Sequence, residues 1–123
     1  MKPISVLLVE DYQPIREEIN QMLAQHPEVG TIFEADSGEK AIHQVETMRP
    51  DVVLLDISLP DMNGLEATRV IKRKSPTTSI IVLLESTDHE YSAAAIEAGA
   101  DACLSKESLL RELIPTIAKT LAA

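Results

Sequence analysis

Two apolar runs in this chain end on acids. Val52-Val53-Leu54-Leu55 runs directly into Asp56, and Val6-Leu7-Leu8-Val9 runs into the pair Glu10-Asp11. A short, wholly apolar run reads as a strand buried on both faces of a parallel sheet, and the residue just past it emerges at the carboxyl edge of that sheet. Glu10, Asp11 and Asp56 are therefore expected to meet at one edge. Carboxylates packed together repel one another unless protons or a cation neutralise them, and a hard ion with oxygen ligands such as Mg²⁺, still carrying waters, suits the set. Lys106 follows Gly99-Ala100-Asp101-Ala102-Cys103-Leu104-Ser105 and adds a positive charge at the end of another strand. A point cation beside a metal site can hold an anionic oxygen.

The elements that must position these residues alternate along the chain. Ile4 to Val9, Thr31 to Ala35, Val52 to Asp56, Ser79 to Leu84 and Ala102 to Leu104 read as strands, with helix-period segments between them. Ile15, Ile19, Met22 and Leu23 mark the first helix, and Ala41, Ile42, Val45 and Met48 the second, which starts after Asp36-Ser37-Gly38. Leu110, Leu113, Ile117 and Leu121 give the last helix its apolar face. Pro115 falls inside that pattern, where it lacks an amide donor, so a kink or a late helix start is expected there. Strands that alternate with helices predict an α/β fold, a parallel sheet covered on both faces. Ligands of such sheets bind outside the carboxyl ends of the strands, where the acids fall.

Composition narrows the function. A chain of 123 residues accommodates a single domain, and its longest apolar runs are of strand length, which predicts neither a membrane span nor a signal peptide. The single cysteine, Cys103, cannot close an internal disulfide, so a reducing, cytoplasmic setting is expected. A net charge of −9 repels a phosphate backbone and argues against direct nucleic-acid binding. His26, His43 and His89 share no ligand spacing and are read as solvated.

Taken jointly, these motifs resemble one family, the receiver domains of two-component response regulators. The match runs from Ile4 to about Leu121: Glu10-Asp11 after the first strand, Asp56 after the third, Leu59-Pro60-Asp61-Met62-Asn63-Gly64 in the loop that follows, and Lys106 after Gly99-Ala100-Asp101. The resemblance implies one receiver domain over residues 1–123. Its fold would be a flavodoxin-like doubly wound α/β domain, with a five-stranded parallel sheet in the order 2-1-3-4-5 and helices on both faces. Asp56 would be the phosphoacceptor, taking a phosphoryl group from a phosphohistidine of a sensor histidine kinase or a phosphotransfer protein. Asp11 and Asp56 would ligate Mg²⁺ directly, Glu10 through water, and the backbone carbonyl of Ser58 would complete the protein ligands. Lys106 would offset charge on the transferring phosphoryl oxygens. The domain would catalyse only its own phosphorylation, and its output would be protein contact, either with an output domain or partner outside this chain or through a weak homodimer using the fourth helix (about Glu90 to Ala98) and the fifth.

Two stretches depart from the family pattern. Where most receivers end the fourth strand on Thr or Ser followed by a small residue, this chain has Leu84 and Glu85, and where an aromatic residue normally stands three positions before the lysine it has Cys103. The hydroxyl and aromatic pair that couples phosphorylation to the surface is thus absent, although Ser86, two residues beyond Leu84, would face the same side if the strand ran that far. An anionic Glu85 would be repelled by a phosphorylated Asp56 unless it points to solvent. A degenerate receiver that binds a partner without phosphorylation is the alternative reading. An aspartyl-phosphate phosphatase is disfavoured because Ser58 stands where its second Asp belongs, and a flavin binder because the chain holds only three aromatic residues.

Overall fold

The computed structural model describes residues 3–86 and 89–122. Among these, strands and helices alternate in the order β1 (Ile4–Val9), α1 (Gln13–Ala24), β2 (Val29–Ala35), α2 (Gly38–Met48), β3 (Val52–Asp56), α3 (Gly64–Lys74), β4 (Ser79–Leu84), α4 (His89–Ala98), β5 (Ala102–Ser105) and α5 (Leu109–Ala122), with a short 3₁₀ turn at Lys106–Ser108. The strands form one parallel sheet in the order β2-β1-β3-β4-β5. The expected doubly wound, flavodoxin-like architecture is the one observed.

Strand alternation divides the core into two layers. Leu7, Val9, Val53, Leu55, Ile80, Val82 and Leu84 face one way and pack on Ala41 and Val45 of α2, Ala67 and Ile71 of α3, and Ala95 of α4. Val6, Leu8, Val52, Leu54, Ile81 and Leu83 face the other way, onto Ile19 and Leu23 of α1 and Leu109, Leu113 and Ile117 of α5. Each fully buried Leu or Ile contributes about 1.5–3 kcal/mol relative to exposure. The central strands are therefore held rigidly, and so are the residues at their ends.

Helix ends follow local chemistry. Pro14 occupies the first turn of α1, where its missing amide costs nothing. Ser37 caps α2 by accepting from the Lys40 amide at 3.2 Å, and Asn63 caps α3 by accepting from Leu65 at 2.7 Å. Lys72, Arg73 and Lys74 fill the last turn of α3, where cations complement the helix dipole.

The structure departs from the sequence expectation in a few places. β2 begins at Val29, two residues early, and β5 extends to Ser105. The buried stripe of α5 is Leu109, Leu113 and Ile117, whereas Leu110 is 79% exposed and Leu121 lies at the surface. Leu109 fits the i, i+4, i+8 spacing of that stripe, and Leu110 is turned about 100° from it. Met48 is exposed because it is the last residue of α2. Pro115 neither delays nor ends α5; it sits on the exposed side, where water can satisfy the carbonyl it leaves without a donor.

Candidate functional site

Three strand ends converge at the carboxyl edge. Glu10 follows β1 and is tied to the next strand by its amide, which donates to the Ala35 carbonyl at 3.0 Å. Asp56 ends β3, paired with Leu83 of β4. Lys106 opens the turn after β5. Carboxylate oxygens of Glu10, Asp11 and Asp56 all lie within 4.8 Å of one another, Glu10 and Asp56 buried and Asp11 exposed. The sequence placed all four residues together, and the structure does the same.

Lys106 Nζ stands 3.1 Å from Glu10 Oε1, 3.1 Å from Asp56 Oδ2 and 3.1 Å from Glu85 Oε1. The contacts to Asp56 and Glu85 are hydrogen bonds; Glu10 Oε1, buried, has the charge beside it but no aligned donor. The other Asp56 oxygen, Oδ1, accepts from the Ser58 amide at 3.0 Å. Behind the site, Arg16 donates to the Glu10 carbonyl at 2.9 Å, and Tyr12 N–H reaches Glu10 Oε2 at 3.4 Å.

One ammonium does not neutralise this set. Burial first, and then the hydrogen bond and charge of Asp56, push the Glu10 carboxyl up to about 8 from an ordinary 4.5, against the pull of Lys106. For Lys106, burial works downward, but the hydrogen bonds and charges of Glu85, Asp56 and Glu10 hold its ammonium well above the usual lysine range. An all-oxygen donor set with a buried carboxylate oxygen short of a donor, and with Asp11 open to water, fits a hard divalent cation.

The loop after Asp56 is fixed by its own sequence. Gly64 N–H donates to the Ile57 carbonyl at 2.9 Å, and a Cβ on Gly64 would lie 2.5 Å from the Ile57 Cα, so only glycine lets the chain fold back this closely. Asp61 reaches across to α2, where its two carboxylate oxygens accept from the amides of Gly38 at 2.8 Å and Glu39 at 2.9 Å. Ser58 pairs with Asn63 in an isolated bridge and lines the site beside Asp56.

Leu84 and Cys103 sit away from the charges. Both belong to the apolar layer under α2, α3 and α4, and Cys103 Sγ donates to the Ser92 carbonyl at 3.8 Å. β4 ends at Leu84, so Ser86 lies past the strand, in a crevice it shares with Ile57, Asn63, Leu84, Glu85 and Tyr91. Glu85 was the residue the sequence left unplaced: it turns toward Lys106. Strand register carried the signal, because Leu84 pairs with Ser105, and the next residue on each strand is Glu85 and Lys106.

A doubly wound parallel sheet with an acid cluster and one lysine at its carboxyl edge defines a class of site built to handle an anion with a cation. The chain matches the response regulator receiver domain family over residues 6–118. It is 34% identical to the transcriptional regulatory protein DegU of Brevibacillus brevis over 93% of this chain and 48% of that protein. It is 42% identical to a protein-glutamate methylesterase/protein-glutamine glutaminase of Syntrophus aciditrophicus over 86% of this chain and 31% of that protein. Among solved structures, the response regulator domain of Thermotoga maritima CheB superposes with a TM-score of 0.92 at 25% identity, covering 99% of this chain and 98% of that one. A LuxR-family two-component response regulator from Aurantimonas gives 0.93 at 28% identity, covering 98% of this chain and 86% of that one. This chain belongs to the response regulator receiver family, the phosphoacceptor signalling modules of two-component systems. It spans about half or less of the length of these curated relatives, whose names describe different activities, so the receiver is the part they have in common with it. Among the described residues no helix is long and apolar enough to cross a membrane.

Proposed function

We propose that the chain, a receiver over residues 1–123, accepts a phosphoryl group on Asp56 from a phosphohistidine of a sensor histidine kinase or phosphotransfer protein. The observation that carries this reading is the Lys106 ammonium 3.1 Å from Asp56 Oδ2, inside an acid cluster that opens to solvent at Asp11. A carboxylate oxygen of Asp56 forms the new bond to phosphorus, the P–N bond breaks, and the imidazole nitrogen keeps the electron pair. Asp11, Asp56, the backbone carbonyl of Ser58 and, through water, Glu10 would hold Mg²⁺, which supplies charge neutralisation for the phosphoryl oxygens. Lys106 holds a further anionic oxygen, and the Ser58 amide keeps the Asp56 carboxylate oriented. Intact mass after incubation with Mg²⁺ and a small phosphodonor tests the reading. One added phosphoryl group, absent in Asp56→Asn and without Mg²⁺, is expected; no addition by the wild type overturns it.

A phosphorylation-independent interaction module is the second reading, favoured by Leu84, whose buried apolar side chain offers no hydroxyl at the end of β4. Under either reading the output is contact with a protein or an output domain outside this chain, or between copies through α4 and α5. The exposed Ile96 and Leu110 support that last surface.

A further inference from the structure

Glu85 has no part in the reaction described so far, yet its Oε1 takes a hydrogen bond from the Lys106 ammonium at 3.1 Å. Three carboxylates share the Lys106 ammonium, and they differ in what they would lose without it. The side chains of Glu10 and Asp56 are 0% and 2% exposed, so neither can exchange Lys106 for bulk water. That of Glu85 is 67% exposed and is solvated on its own. Lys106 is itself only 13% exposed; it donates hydrogen bonds to Asp56 and Glu85 and has Glu10 Oε1 at 3.1 Å.

An anionic oxygen arriving at Asp56 needs one of those donors. Glu85 is the partner that can give way, because water replaces Lys106 around it; until it does, it occupies the donor. We propose that Glu85 is a positioning residue that occupies a donor of Lys106 which the incoming phosphoryl group needs, and so sets how fast anionic phosphodonors modify Asp56. The inference rests on the phosphoacceptor reading above. With an acyl phosphate as donor, a carboxylate oxygen of Asp56 bonds to phosphorus. The phosphorus bond to the acyl oxygen breaks, and the donor's carboxylate leaves with the electron pair; no proton or redox partner is required.

Time courses of intact mass in Mg²⁺ test this, using acetyl phosphate, a dianion, and phosphoramidate, which carries one net negative charge. Glu85→Gln keeps an acceptor oxygen and removes the charge, whereas Glu85→Ala removes both. With acetyl phosphate we expect Glu85→Ala to be phosphorylated about two- to fivefold faster than wild type, the range of a partly screened ion pair, with Glu85→Gln in between. The gain should be smaller with phosphoramidate and should shrink as salt is raised. In a Lys106→Ala background the Glu85 substitution should change the rate by less than about twofold, since additivity fails only between coupled residues. Melting temperatures of the Glu85 variants should stay within about 2 °C of wild type, because so exposed a pair adds little stability. A Glu85→Ala rate equal to or below wild type overturns the inference, as does an equal gain without Lys106. A wild type that gains no phosphoryl group on Asp56 overturns the phosphoacceptor reading and this inference with it, whereas normal wild-type phosphorylation with an unresponsive Glu85→Ala overturns the inference alone.

Discussion

The two edges of the sheet handle polar groups in opposite ways. At the amino edge Ser5, Asp51, Ser75, Thr78, Asp101 and Lys72 all find partners within the protein. Asp51 Oδ2 accepts from the Ser5 amide at 2.8 Å and from its hydroxyl at 3.2 Å. The buried hydroxyls of Ser75 and Thr78 bond each other at 2.6 Å, and Thr78 reaches the Pro50 carbonyl. Asp101 Oδ2 accepts from Lys72 Nζ at 2.9 Å and from the Ile80 amide at 2.8 Å, while Lys72 also donates to the Thr78 carbonyl. At the carboxyl edge, Glu10 and Asp56 are buried with a single ammonium between them, and a buried oxygen lacks an aligned donor. The first arrangement locks strands together. The second gathers negative charge that a bound proton or an added cation must settle, which is how binding sites differ from structural networks.

The largest test of that contrast removes the phosphoacceptor. Asp56→Asn should abolish phosphorylation completely by intact mass, yet the metal-free variant should melt no lower than wild type, because one of the mutually repelling carboxylates is gone. A drop of more than about 5 °C, roughly 1 kcal/mol in a domain this size, would mean that Asp56 belongs to the fold's structural bonds after all.

A second test uses pH. Glu10 has its carboxyl pushed up to about 8 in the folded chain, against an ordinary 4.5 when unfolded. Between those values the folded state holds a proton that the unfolded state has lost, so the stabilisation is fully present below about 4.5 and is lost as pH rises through about 8. The metal-free protein should therefore melt several degrees lower at pH 8.5 than at pH 5.5, and millimolar Mg²⁺ should restore most of the loss at high pH. A melting temperature that is flat or rises over this range without metal would refute the account of unbalanced charge.

At the other edge, Asp101→Ala strands the buried Ile80 amide and frees Lys72, a change expected to cost about 1–3 kcal/mol. The thermal midpoint should fall by several degrees while the rate of Asp56 phosphorylation stays within about twofold of wild type, since the variant leaves Glu10, Asp11, Asp56, Glu85 and Lys106 in place. Equal losses in both measurements would show that the two edges are coupled through β5.

Asp101 also shows how far the sequence could be read. Gly99-Ala100-Asp101 served there as a marker for Lys106, and it does fix where β5 starts, but its bonds lie at the opposite edge. Gly99 takes φ +117°, and a Cβ on it would come within 3.0 Å of the Lys72 side chain. Strand-borne acids were legible because an apolar run ending on a charge leaves few places for that charge to go. The phase of α5 was not, because leucines at 109 and 110 both fit a helical spacing and only the preceding turn selects between them. Glu85 was legible in principle, since the β4–β5 register puts it beside Lys106, but that register is a tertiary fact.

The smallest effect belongs to Asp61, which lies on the functional side of the sheet and performs a structural task. It comes from the loop that follows the phosphoacceptor, but its carboxylate faces the start of α2, 22 and 23 residues upstream, where the helix leaves amides without partners. Burial works upward on this carboxyl, but the amides of Glu39 and Gly38 hold it below the usual aspartate range. Removing it resembles the loss of an N-cap, about 1 kcal/mol, and Ser37 continues to cap through Lys40. Asp61→Ala should therefore lower the melting temperature by only a few degrees and leave Asp56 phosphorylation within about twofold, because Gly64, Asn63 and the Ser58 amide still shape the loop. Asp61→Asn, which retains one acceptor, should recover part of the stability. A phosphorylation rate reduced tenfold by Asp61→Ala would mean that proximity to the acid cluster, more than the partners a side chain keeps, decides which residues act in the reaction.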